Sequence, residues 1–172
     1  FNALGSIFEA GTGKSIFEEF DRRIGQKIGL EDFDWEKDGR YDYSRVSDHP
    51  AYHFDMSCRD MARIGLLVLN QGNWDGQEIV PADWIAESTA PQIQVGEDFG
   101  NGSYGYMWWI MDNPEFAEAG LSPLSFSAQG NWSQLIIIDP VSKIVIVHRG
   151  FKENLEPQAF IRLIRKIISA KA

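Results

Sequence analysis

Several stretches of this sequence set polar side chains at spacings that chemistry uses. Asp34-x-Glu36-x-Asp38-Gly39 places oxygen ligands at alternate positions before the glycine of a sharp turn, as a calcium loop begins. The twelfth position of that frame is Arg45, where a bidentate Glu is needed, so the acids read as a solvated acidic loop. Asp48-His49 and His53-x-Asp55 bring two imidazoles and two carboxylates close together, acceptable to zinc, but at a spacing that matches no zinc pattern. No metal or cofactor is expected. Thr12-Gly13-Lys14-Ser15 contains the Gly-Lys-Ser of a phosphate loop, yet Phe8 stands where the first glycine belongs, so a turn between helices accounts for it better. No serine lies in a Gly-x-Ser-x-Gly elbow or a Ser-x-x-Lys pair, so an enzyme of serine type takes its nucleophile from outside these 172 residues.

The most informative stretch is Phe126-Ser127-Ala128-Gln129-Gly130-Asn131-Trp132-Ser133-Gln134, followed by apolar Leu135 to Ile138 and by Asp139-Pro140. A glycine there is either a turn ahead of a core strand or a place where a ligand approaches the backbone. The local pattern leaves both open.

The elements that must position these residues follow from periodicity. Phe1, Leu4, Ile7 and Phe8 have helical spacing up to Gly11-Thr12-Gly13, and the abrupt apolar start at Phe1 reads as a cut in a longer chain. Ser15-Ile16-Phe17-Glu18 and Ser57-Cys58-Arg59-Asp60 are capping boxes that open helices, the second ending near Gly72. Between Gly29 and Phe54 the period is lost, which predicts a long surface loop. Pro81 suits the start of a short helix through Trp84 and Ile85, and Gly96 to Gly102 reads as a loop. Tyr104 to Ile110 then predicts an aromatic strand, and Gln134–Ile138 and Ile144–His148 predict a hairpin. A last helix from Pro157 to Ser169 carries Phe160, Leu163, Ile164, Ile167 and Ile168 on one stripe. Helices, then antiparallel strands, then a covering helix make an α+β fold. The chain is expected to be one incomplete domain, with 1–95 a mainly helical lobe and loops and 96–172 the strands plus the last helix.

The net charge of -9, from 25 acidic and 16 basic residues, argues against nucleic acid or an anionic membrane as partner. No run approaches a transmembrane segment. Cys58 is the single cysteine, so no intramolecular disulfide forms and the compartment stays open.

Four segments in order carry a resemblance. They are Asn2-Ala3-Leu4-Gly5 with Glu9 and Thr12-Gly13-Lys14; Ser57-Cys58-Arg59-Asp60-Met61-Ala62-Arg63-Ile64-Gly65 through Gly72-x-Trp74-x-Gly76; Tyr104-Gly105-Tyr106-x-Trp108-Trp109; and Ala128-x-Gly130-x-x-Ser133-Gln134 before Asp139-Pro140. Together they resemble the C-terminal portion of the serine hydrolases of the penicillin-binding-protein/class C β-lactamase-like family, and the likeness spans nearly the whole chain. In such enzymes a Ser-x-x-Lys serine, aided by a Tyr-x-Asn tyrosine, attacks a carbonyl carbon through an acyl-enzyme. Both motifs would lie upstream of Phe1.

The resemblance implies that Ala128-Gln129-Gly130 is the third active-site motif, on a strand beside the cleft. Gly130 then lets substrate approach the backbone, and the Asn131 N–H serves as an oxyanion donor. Ala128 departs from the family's usual Lys, His or Trp, which turns the expectation from β-lactams towards an uncharged ester, amide or peptide. Gln129 would hydrogen-bond substrate, and Tyr52 and His53 would face the pocket. The implied partners are a small-molecule or peptide-like substrate and, on an exposed sheet edge, the N-terminal remainder of the same protein or a second chain. The resemblance favours a periplasmic or secreted location. It also admits a non-catalytic penicillin-binding-protein-like ligand-binding domain, and in either case the fragment alone would be inactive.

Overall fold

The computed structural model describes residues 2–96, 102–151 and 156–170. Phe1 and most of the expected Gly96 to Gly102 loop lie outside the described residues. The chain divides into two compact units, Phe1–Ile64 and Gly65–Ala172. The division falls inside a helix, upstream of the change from helices to strands expected near residue 95.

In the first unit, α1 (Asn2–Thr12) precedes α2 (Ile16–Phe20), a π-helical turn (Asp21–Gly25) and α3 (Gln26–Ile28). Ser15 caps α2, its hydroxyl accepting the Glu18 N–H. Phe17 and Ile28 are buried from this run. The Gly29 to Phe54 stretch is not the long loop its lost periodicity predicts. α4 (Trp35–Asp38) leads into an antiparallel hairpin of β1 (Gly39–Asp42) and β2 (Ala51–Phe54), with Tyr41 opposite Tyr52. The cause is long-range. The Phe17 ring lies 5.1 Å from that of Tyr41 and 4.8 Å from that of Phe54, edge-on to both, and such contacts leave no local repeat in the sequence.

The calcium-like acids serve this turn. Asp34 accepts the Glu36 N–H at 3.1 Å, Asp38 accepts the Asp34 N–H at 2.8 Å, and Lys37 pairs with Asp34. Among the described residues no group of three or more His, Cys, Asp or Glu is placed to hold a metal ion.

α5 (Cys58–Leu69) opens on Ser57, whose Oγ accepts the Asp60 N–H at 3.1 Å. The fully buried Asp60 carboxylate serves a different segment. It accepts the N–H groups of Glu31 and Asp32 at 2.9 and 3.1 Å, fastening the chain that follows α3.

The second unit takes the end of α5, a short hairpin of β3 (Asn73–Trp74) and β4 (Gln77–Glu78), and α6 (Ala82–Ser88) with Pro81 at its cap. Its main sheet is a six-stranded antiparallel meander: β5 (Ile93–Gln94), β6 (Ser103–Tyr104), β7 (Trp109–Ile110), β8 (Phe126–Gly130), β9 (Gln134–Asp139) and β10 (Ile144–His148). α7 (Pro114–Glu118) bridges β7 and β8, and α8 (Pro157–Ser169) closes the chain. Tyr104 to Ile110 is not one strand as expected. It forms the facing strands β6 and β7, because Met107 takes φ 67° and the Gly105 N–H bonds the Trp108 carbonyl at 2.8 Å.

α8 lays Ile161 and Ile164, flanked by Phe160 and Ile168, against Ile137 and Ile146 of the sheet. Full burial contributes about 1.5–3 kcal/mol for each such side chain. On the other face Gly65 of α5 meets Ile136 and Val145, and a Cβ there would come 2.5 Å from Val145 Cγ1. The unit is thus helix, sheet and helix, an α+β arrangement. No helix among the described residues is long and apolar enough to cross a membrane.

Candidate active site

The Ala128-Gln129-Gly130 motif ends β8. Antiparallel pairing sets Ala128 opposite Ile136, Gln129 opposite Leu135 and Gly130 opposite Gln134 on β9. On its other side β8 pairs with β7 through Phe126 and Ser127. Strand alternation sends Ala128 to the face shared with Ile136, the face that Gly65 of α5 approaches. Gln129 is turned to the opposite face, where its Nε2 donates to the buried Ser127 Oγ at 2.9 Å. Gln129 and Gly130 are exposed.

Gly130 has φ -125° and ψ 174°, a conformation open to any residue. A Cβ there would meet Gln134 Cβ at 3.4 Å and nothing nearer. The fold therefore does not require glycine at this position.

Asn131–Ser133 is a single 3-10 turn between β8 and β9. Trp132 (φ 57°) and Ser133 (φ 56°) are consecutive left-handed residues, a conformation that costs of order 1–3 kcal/mol each outside glycine. Two bonds hold the turn in place. His148 Nδ1 lies 2.8 Å from the Ser133 carbonyl oxygen, and Gln134 Nε2 donates to the Gly150 carbonyl at 2.7 Å. Asn131 and Trp132 stay exposed.

The hairpin beyond is locked by Asp139, whose side chain is fully buried. Its carboxylate accepts from Ser122 Oγ at 2.8 Å, from the Ser122 N–H at 3.1 Å, and from the Val141 and Ser142 N–H groups at 3.0 and 3.2 Å. Burial alone pushes this carboxyl up, but the bonds from Ser122 and Ser142 prevail and hold its pKa below the ordinary value.

Tyr52 and His53 belong to the first unit, on β2. The Tyr52 ring covers Gly5 of α1, and its hydroxyl bonds Ser6 Oγ at 3.1 Å and Glu9 at 3.4 Å. Tyr41 donates to the same Glu9 at 2.7 Å; burial first, then that carboxylate, pushes its phenol up to about 12. His53 pairs across the hairpin with Arg40 and lies 3.7 Å from Asp42.

No protein-family model matches the sequence. Among solved structures, the chain superimposes with a TM-score of 0.68 and 27% identity on a putative 6-aminohexanoate-dimer hydrolase from Bacillus anthracis, over 98% of this chain and 41% of that one. The fold of this chain is thus similar to that of penicillin-binding-protein/β-lactamase-like hydrolases. A β-lactamase from Mycobacterium bovis shares the fold at a TM-score of 0.66 and 17% identity, over 99% of this chain and 61% of that one. The chain thus spans 41% of the first neighbour and 61% of the second, less than two thirds of either.

Ala128, Gln129 and Gly130 end strand β8, and Asn131 opens the turn that follows, whereas Tyr52 and His53 lie on β2 of the first unit. Sequence reasoning overlooked the residues that hold the end of β8. His148 showed no pattern of its own, although the hairpin register, which pairs it with Leu135, already places it two residues from Ser133.

Proposed function

We propose that this chain forms one wall of an acyl-transfer site in a serine hydrolase whose nucleophile lies upstream of these 172 residues. Gly130 carries the reading. Its backbone conformation and surroundings leave room for a side chain, so the missing Cβ is best explained by a substrate that lies against the strand.

The chemistry follows from the motif. A serine oxygen supplied from outside the chain adds to the substrate carbonyl carbon, and the C=O electron pair moves onto oxygen. The Asn131 N–H and the nucleophile's own amide stabilise that oxyanion. Collapse expels an alcohol or amine that takes up a proton, and water then cleaves the acyl-enzyme. Ala128 offers no charge to a substrate carboxylate, which favours an uncharged ester, amide or peptide over a β-lactam. The name of the Bacillus anthracis neighbour, given as a putative 6-aminohexanoate-dimer hydrolase, supports an amide as the bond cleaved.

The remainder of the protein, or a second chain, completes the unit along the outer edge of β10, which pairs only with β9 among the described residues. Lys143, Ile144, Val145, Ile167 and Ala170 line a shallow groove there.

The test is active-site labelling of the full-length protein with a fluorescent penicillin and with a simple activated ester. Acylation by the ester, little by the penicillin, and none in the 172-residue chain alone is expected. Absence of a Ser-x-x-Lys upstream would replace the enzyme by a ligand-binding domain of the same fold.

A further inference from the structure

Trp132 is the residue that neither folding nor solubility explains. Its backbone is left-handed, as is that of Ser133, and 48% of its surface is exposed. A bulky aromatic is a poor choice for that conformation, which Gly or Asn adopts at lower cost, and a half-exposed indole returns little burial in exchange. Such strain persists only where the surroundings impose it. Here they do so from both sides of the turn: His148 grips the Ser133 carbonyl, and Gln134, laddered to Gly130, is tied to the Gly150 carbonyl.

The strained residue is also well placed. It is two positions beyond Gly130 and one beyond Asn131, the proposed oxyanion donor, so its Cα is one peptide step of about 3.8 Å from that of Asn131. We propose that Trp132 is a specificity-determining residue of this site, its indole held out to stack on the apolar, non-reacting chain of an uncharged ester or amide. This rests on the acyl-transfer reading. Ala128 agrees with it, since the motif then offers an apolar methyl and an aromatic face and no charge.

The test uses the full-length protein and p-nitrophenyl acetate, butyrate and octanoate, with Trp132→Ala, Trp132→Phe and Trp132→Gly. In Trp132→Ala the octanoate-to-acetate ratio of kcat/KM should fall about tenfold, mainly through KM for octanoate. Trp132→Phe should restore most of the ratio. Trp132→Gly relieves the backbone, so its thermal midpoint should match or exceed that of the parent while its selectivity falls as in the alanine variant. A chain-length profile that does not move, or that moves only with loss of thermal stability, overturns the proposal. Hydrolysis of no ester by the parent protein would sink the acyl-transfer reading by itself. The indole is then read by binding: p-nitrophenyl octanamide titrated into protein carrying 15N-tryptophan should shift the one indole N–H signal missing from Trp132→Phe. If that signal stays still while others move, or if none moves, the proposal fails.

Discussion

His148 on β10 holds the carbonyl of Ser133, its Nδ1 2.8 Å from that oxygen across the β9–β10 hairpin. A carbonyl only accepts, so Nδ1 carries the proton. The bond fastens a turn in which two residues are left-handed, next to the strand end that bears the motif. His148→Ala should lower stability by about 1 kcal/mol, read as a lower urea midpoint at unchanged slope.

Gly65 allows α5 to lie on the sheet. A Cβ at this position would come 2.5 Å from Val145 Cγ1 and 3.0 Å from Ile136 Cγ2. Gly65→Ala should cost about 1–3 kcal/mol through overpacking. Val145→Ala should recover part of that loss in a double-mutant cycle of urea midpoints, whereas additive losses would show that the contact is not the cause.

Gly130→Val separates fold from function. The backbone is extended and the nearest atom to an added Cβ is 3.4 Å away, so the thermal midpoint should change little. The rate of ester acylation by the full-length protein should fall about a hundredfold, because a side chain there pushes the reacting carbonyl off its donors. A variant that folds and reacts like the parent would make Gly130 an ordinary strand residue.

Glu19 predicts a pH dependence. Hydrogen bonds from Arg22, then Arg23, with Lys14 adding to them, hold its carboxyl at about 2, below its ordinary 4.5. A carboxyl lowered in the folded state contributes stability that is fully present above the ordinary value and is lost as pH falls through the folded one. The thermal midpoints of parent and Glu19→Gln should therefore differ most above pH 4.5 and converge towards pH 2. Added salt should narrow the gap, because the three cationic partners are more than half exposed.

Strong local signals made several elements legible. The Ser57 cap announced α5, the stripe from Phe160 to Ile168 announced α8 over Pro157–Ser169, and two apolar runs around Asp139 announced the β9–β10 hairpin. The β1–β2 hairpin left no such trace, since Tyr41, Tyr52 and Phe54 are ordered by a Phe17 more than twenty residues upstream. Tyr104 to Ile110 has the composition of a strand, and only the left-handed Met107 turns it into two.

The site divides the same way. Residue types alone determined that Ala128 carries no charge, that Gly130 has no side chain, and that no Ser-x-x-Lys lies in the chain, because these are facts of composition and spacing. Tertiary structure decided where they point. Strand pairing set Ala128 opposite Ile136, and the approach of His148 to Ser133 set Trp132 at the surface. Both outcomes depend on partners brought together by the ladder, and a linear sequence does not record which residues end up across a strand from each other.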